Sequence, residues 1–260
     1  MIEKQIILKD LLINYYLAES TNPAAKTAIF LHGWRANGMI WIPIVKFLKG
    51  SDFNIYCLDL PGFGKSENPR TAFHLRDYAE IVVEFQNKLG IAGANLVGHS
   101  FGGRVAVKVA VDFPKLVDKL VLVSCGGFRA WEWKRGLITF LAKVMKPAFA
   151  LPLLKRLRPR IYHMLGADDY LTVPELKSTF LNVINEDIKE LASDVAHETL
   201  IIWGEKDIEV PVEFGRALET LIFKSKLFVY PDTGHFAFLG QPEDFARRLK
   251  DFFDAPSKVN

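Results

Sequence analysis

Short apolar runs that alternate with longer helix-like stretches constrain this chain more than any other feature. Residues 27–31, 55–58, 95–97, 120–123, 199–203 and 226–230 are brief, β-rich and apolar, as strands covered on both faces should be. Two earlier runs, 6–8 and 13–17, read as strands joined by a turn near Lys9-Asp10. Helical candidates fall at about 37–49, 74–89, 101–113, 212–221 and 242–253. Strands that alternate with helices imply right-handed crossovers and a mostly parallel sheet, so the expected fold class is α/β.

One stretch breaks the alternation. From 126 to about 193 the pattern is helix-like throughout, opening at Gly126-Gly127. That length is too great for a plain connection. Residues 1–125 and 194–260 are therefore expected to form one α/β domain, and 126–193 an inserted α-helical subdomain. Composition agrees with a folded chain of this kind. Half of the 260 residues are hydrophobic, and 20 Phe with 5 Trp supply a sizeable core, which excludes disorder and collagen-like structure. Cys57 and Cys125 make no disulfide framework and no Cys-x-x-Cys pair. The N-terminal residues lack the pattern of a secretory signal. The most apolar long segment, 137–154, is interrupted by Lys143, Lys146, Pro147 and Pro152, whereas a membrane span needs roughly 20 mostly apolar residues. The expectation is a soluble, cytoplasmic protein.

Gly98-His99-Ser100-Phe101-Gly102-Gly103 carries the chemistry. A serine on a tight strand-to-helix turn has a strained backbone, and the small residues two before and two after it let neighbouring chain approach closely. The turn lifts the hydroxyl out of the sheet to a helix N-terminus, where backbone N–H groups face a developing oxyanion. The bland alternative is a glycine-rich turn with a capping serine. A serine hydroxyl also needs a base, and the base needs an orienting acid. His235 stands just after the run 226–230, and Asp207 just after 199–203. Both emerge at the carboxyl edge of the sheet, where Ser100 also sits and where open α/β sheets bind ligands. Glu205 and Asp232 are competing acids, each equally readable as a solvated loop carboxylate; Asp207 is preferred. His99, inside the turn, reads as a packed histidine. His32-Gly33-Trp34 follows the run 27–31. A glycine there permits an unusual turn that aims the N–H of Trp34 at the same oxyanion as the N–H of Phe101.

Taken with Asp59-Leu60-Pro61-Gly62-Phe63-Gly64-Lys65-Ser66, Trp203-Gly204-Glu205-Lys206-Asp207 and Gly234-His235-Phe236, these segments resemble the α/β-hydrolase superfamily over nearly the whole chain. The resemblance implies an eight-stranded sheet with flanking helices and a cap inserted after the sixth strand. It also implies a nucleophile at Ser100, an acid at Asp207, a base at His235 and oxyanion donors at Trp34 and Phe101. Relatives with a cap that use a carboxylate nucleophile, such as epoxide hydrolases and haloalkane dehalogenases, do not match a serine at position 100. The first expectation is a serine esterase acting on small to medium apolar esters. The alternative is hydrolysis of carbon–carbon bonds in ring-cleavage products; such enzymes typically carry tryptophan after the histidine, where this chain has Phe236. Acyl transfer or perhydrolysis would use the same residues. A non-catalytic binding protein is the reading from another class, but degenerate relatives usually lose a triad member and all three are present.

No cofactor and no metal are expected. Gly64-Lys65-Ser66 invites a phosphate-loop reading, but that loop needs a glycine where Asp59 stands. The cap holds the substrate information: Phe128, Trp131, Phe140 and Met145, with Phe236 from the body, are candidate pocket residues. Most of the cap's aromatic residues are expected to fasten it to the sheet domain. The net charge of +3 is too small to suggest nucleic acid, but it is unevenly spread. Nine basic residues face a single acid, Glu132, between 126 and 166, a local charge of +8 against −5 elsewhere. Docking of this segment on the acidic body is the first explanation. Attraction of anionic substrates is a second, and transient contact with an anionic membrane surface through residues such as Lys155, Arg156, Arg158 and Arg160 is a third. No stable insertion is expected, and the protein is expected to be a monomer or homodimer.

Overall fold

The computed structural model describes residues 1–127 and 174–256. Eight strands form one sheet: β1 (Ile2–Leu8), β2 (Leu11–Ala18), β3 (Lys26–Leu31), β4 (Phe53–Leu58), β5 (Ala94–His99), β6 (Val117–Val123), β7 (Thr199–Gly204) and β8 (Ser225–Tyr230). Their spatial order is β1-β2-β4-β3-β5-β6-β7-β8. The β1–β2 and β2–β4 pairs are antiparallel, and all later pairs are parallel. The turn expected at Lys9-Asp10 joins β1 to β2 with φ of 46° and 60°, the two positive values a type I′ hairpin turn requires.

The runs of β3 to β7 lack polar alternation because both sheet faces are covered there. Along β3, Ile29 and Leu31 enter one core, while Ala28 and Phe30 enter the other. Likewise Leu120 and Leu122 of β6 face opposite to Val121 and Val123, the period of two that strand geometry dictates. The first core is completed by α2 (Leu75–Lys88), α3 (Phe101–Asp112) and α6 (Glu213–Leu221), and the second by α1 (Ile42–Leu48), α7 (Ala237–Gly240) and α8 (Pro242–Asp254). The helix expected over 37–49 begins instead as a 3-10 turn, Gly38–Trp41, before α1. Asn37 caps that turn by accepting the Met39 N–H at 3.0 Å, and Asp59 takes the Gly38 N–H at 2.6 Å. Asp59 also accepts from Lys65 N and Asn14 Nδ2. This buried carboxylate ties three segments together, in keeping with a structural turn rather than a phosphate loop.

The described part of the insertion is helical: α4 (Lys177–Asn185) and α5 (Lys189–Ser193). It is pinned to the body by polar contacts. Phe73 N–H donates to Thr179 Oγ1 at 3.0 Å, and Asn182 Nδ2 to Phe73 O at 3.3 Å. The Arg104 guanidinium, buried on α3, donates to the carbonyls of Val183 and Glu186, placing a cation at the C-terminal end of α4, where the helix dipole favours it. Ile188 N–H meets Gly127 O at 3.1 Å. Phe128, Trp131, Phe140, Met145 and the basic residues of 129–160 lie outside the described residues. Among the described residues, no helix is long and apolar enough to cross a membrane.

Candidate active site

β5 ends at His99 and α3 begins at Phe101, so Ser100 alone makes the turn from strand to helix. Its backbone takes φ 51° and ψ −112°, a region that costs a non-glycine residue of order 1–3 kcal/mol. Three backbone hydrogen bonds hold it there: Ser100 N–H donates to Val123 O at 2.8 Å, and Ser100 O accepts from Gly103 N at 3.1 Å and from Arg104 N at 3.3 Å. The flanking glycines act through space. A Cβ on Gly98 would stand 2.4 Å from Gly102 O, and one on Gly102 would stand 2.4 Å from Leu31 O. Only bare backbone lets α3 descend this closely onto β3 and β5. The N–H of Phe101, first in α3, has no helical carbonyl behind it.

Asp207 follows β7 and His235 follows β8, and both side chains are buried. Oδ1 of Asp207 accepts the N–H groups of Glu209 and Val210 at 3.0 and 2.8 Å. Its Oδ2 is thereby aimed at Nδ1 of His235, 2.9 Å away. The carboxylate calls for a proton on Nδ1, which leaves Nε2 as the basic nitrogen. The competing acids are turned elsewhere: Asp232 pairs with Lys206, and Glu205 accepts the Asp232 N–H.

His99 is buried as expected, and it also touches the base. Its Nε2 donates to the His235 carbonyl at 3.0 Å, with ring centroids 4.7 Å apart. Burial above all, and then the neighbouring His235, push its pKa down to about 3, so it stays a neutral donor. His32 is likewise held down to about 4 by burial; its Nδ1 donates to Gly33 O at 2.7 Å and its Nε2 accepts from Leu60 N at 2.9 Å.

Gly33 differs from the expectation. The positive φ after β3 belongs to Arg35, at 61°, and Gly33 is needed for room: a Cβ there would lie 2.9 Å from His99 Nδ1 and 3.4 Å from Ser100 Cβ. Trp34 packs edge-on to Phe63 and Phe101 and against Phe180 of α4. Ser100, His235, Trp34 and Phe236 line one cavity of about 430 Å³. Phe101 contributes no wall to it; its ring is buried against Trp34 and Tyr78. Arg35, Ile40, His99 and Glu209 also line the cavity. Of these, Glu209 stands in the same loop as Asp207 and was not singled out by the sequence. Its carboxylate is 61% exposed and lies 3.8 Å from His235 Nε2. Among the described residues, no group of three or more His, Cys, Asp or Glu could hold a metal ion. A strained hydroxyl, an imidazole oriented by a buried carboxylate and open N–H groups at a helix start form a set suited to acyl transfer.

A mostly parallel eight-stranded sheet whose reactive side chains stand on loops at its carboxyl edge defines the α/β-hydrolase fold. The chain has that fold, and the family model of the alpha/beta hydrolase fold matches residues 27–132. It is similar to the uncharacterized hydrolase YugF of Bacillus subtilis, with 27% identity over 92% of this chain and 94% of that one. A 2-hydroxy-6-oxononadienedioate/2-hydroxy-6-oxononatrienedioate hydrolase of Pseudomonas sp. is 27% identical over 77% of each chain. Among solved structures, the esterase EaEST from Exiguobacterium antarcticum superposes with a TM-score of 0.76 at 22% identity, covering 98% of this chain and 100% of that one.

Proposed function

We propose that the chain is a serine esterase that hydrolyses small to medium apolar carboxylic esters through an acyl-enzyme, with its insertion 126–193 acting as the substrate-selecting cap. The observation that carries this is the 2.9 Å contact of His235 Nδ1 with buried Asp207, beside a cavity that His235 shares with Ser100. In the proposed mechanism Ser100 Oγ attacks the ester carbonyl while His235 Nε2 takes its proton. The N–H groups of Trp34 and Phe101 stabilise the oxyanion, worth about 3 kcal/mol for each donor. His235 returns the proton to the departing alcohol. Water, activated by the same nitrogen, then releases the acid and restores Ser100.

Hydrolysis of a carbon–carbon bond is the second reading, favoured by the similarity to the Pseudomonas hydrolase. Ser100→Ala, assayed on p-nitrophenyl esters from acetate to palmitate beside a ring-cleavage dienoate, separates the two. The expected result is wild-type turnover of short and medium esters that vanishes in a variant with unchanged unfolding. Ester turnover that survives Ser100→Ala would refute the mechanism. Turnover of the dienoate alone would transfer the mechanism to the second reading.

A further inference from the structure

We infer that Glu209 is a specificity-determining residue for the leaving group, one that selects esters of cationic alcohols over esters of anionic ones. The inference rests on the esterase reading of the site. In that mechanism His235 Nε2 must reach two oxygens in turn, Ser100 Oγ and the oxygen of the departing alcohol. The leaving-group oxygen therefore occupies space within hydrogen-bond reach of Nε2, and whatever it carries passes the group beside that nitrogen. That group is the Glu209 carboxylate, with Oε2 3.8 Å from Nε2.

The loop fixes this placement. Glu209 N–H is held by Asp207 Oδ1 at 3.0 Å, so the residue that orients the base also anchors the backbone of the residue that reads the alcohol. The other charges nearby are themselves engaged. Asp207 faces Nδ1 on the far side of the ring, Lys206 pairs with Asp232, and Arg35, which also lines the cavity, has an interaction of its own. His99 is neutral. Glu209 stands 61% exposed at the cavity wall, where water weakens its field without abolishing it. A unit charge on the alcohol about 7 Å away, in a surroundings of intermediate dielectric, changes the rate by roughly tenfold.

The test uses three butyrate esters of similar shape: choline, 3,3-dimethylbutanol as its uncharged analogue, and isethionate as an anion. The readout is the ratio of kcat/KM for the choline ester to that for the isethionate ester. In wild type it should exceed one, with the uncharged ester between, and it should shrink as salt rises from ~0.02 to ~0.5 M. Glu209→Gln should lower the ratio by about tenfold or more, and Glu209→Lys should invert it. A ratio that stays the same in wild type and both variants would overturn the inference while leaving esterase activity intact. If neither variant folds, a wild-type ratio that is insensitive to salt overturns it equally. Wild type that hydrolyses none of the three esters would instead overturn the esterase reading.

Discussion

Replacing Asp207 with Asn keeps the shape of the acid and removes its logic. In the native loop both carboxylate oxygens are committed, Oδ1 to the N–H groups of Glu209 and Val210 and Oδ2 to His235 Nδ1. Asparagine offers one acceptor and one donor in the same place. If its oxygen stays with the two backbone donors, its NH₂ faces Nδ1, which must then accept. The imidazole proton moves to Nε2, and that nitrogen can no longer take the Ser100 proton. The opposite orientation keeps the base competent but points NH₂ at two buried N–H groups. Two unsatisfied donors at about 1–3 kcal/mol each put the competent form roughly 2–6 kcal/mol above the inert one. Loss of the negative charge that stabilises the imidazolium adds to this, so kcat should fall by about 10⁴, or ~5 kcal/mol. Steady-state turnover of p-nitrophenyl butyrate at pH 7–8 measures the loss, with thermal unfolding showing that the variant folds. Asp232→Asn and Glu205→Gln serve as controls that should retain activity. A folded Asp207→Asn enzyme with more than ~10% of wild-type kcat would refute the assignment of the acid.

Two further outcomes concern stability. Gly102→Ala drives a Cβ to 2.4 Å from Leu31 O and 2.6 Å from His32 O, so α3 must back away from β3; urea unfolding should show a loss of about 2–4 kcal/mol, and ester turnover should fall further than stability does because Ser100 moves with the helix. His32 and His99 are depressed to about 4 and 3 in the folded protein, against about 6.5 in an unfolded chain. The unfolded state thus takes up protons first, and the stability these residues contribute is complete above pH 6.5 and lost as pH falls through it. Up to ~4 kcal/mol should disappear between pH 6.5 and 5, and His32→Gln should halve that slope; a urea midpoint flat across this range would contradict their buried neutral state.

How much of this was legible in the sequence depended on what each segment packs against. The central strands stood out because a sheet covered on both faces demands apolar residues without interruption, as in 120–123. The start of β1 did not stand out, because Glu3, Lys4 and Gln5 lie on an exposed edge strand where packing imposes no pattern. Ser100, Asp207 and His235 could be singled out as candidates because each stands in the turn or loop after a strand, and parallel topology brings those ends to one edge. The same logic says nothing about which neighbouring loop residue turns inward, so Glu209 and Arg35 carried no signal. Gly33 shows the limit in another form: a sequence reveals that a side chain is missing, while only the fold reveals whether the backbone needed the angle or the neighbour needed the space.

The hydrogen bond from Ile188 N–H to Gly127 O brings together the two ends of the stretch between them, whose later part is itself held on the body through Thr179, Asn182 and the Arg104 guanidinium. Thermodynamically, everything between is a closed loop. The entropy of closing such a loop rises only with the logarithm of its length, about 0.6 kcal/mol for each doubling. Lengthening or shortening that stretch therefore adds almost no closure cost to the body, provided that its two ends still meet and the contacts of residues 179–186 are kept. Chimeras that exchange residues 128–173 and keep 174–188 are the natural place to begin redesigning the chain, because the loops that hold Ser100, Asp207 and His235 stay untouched.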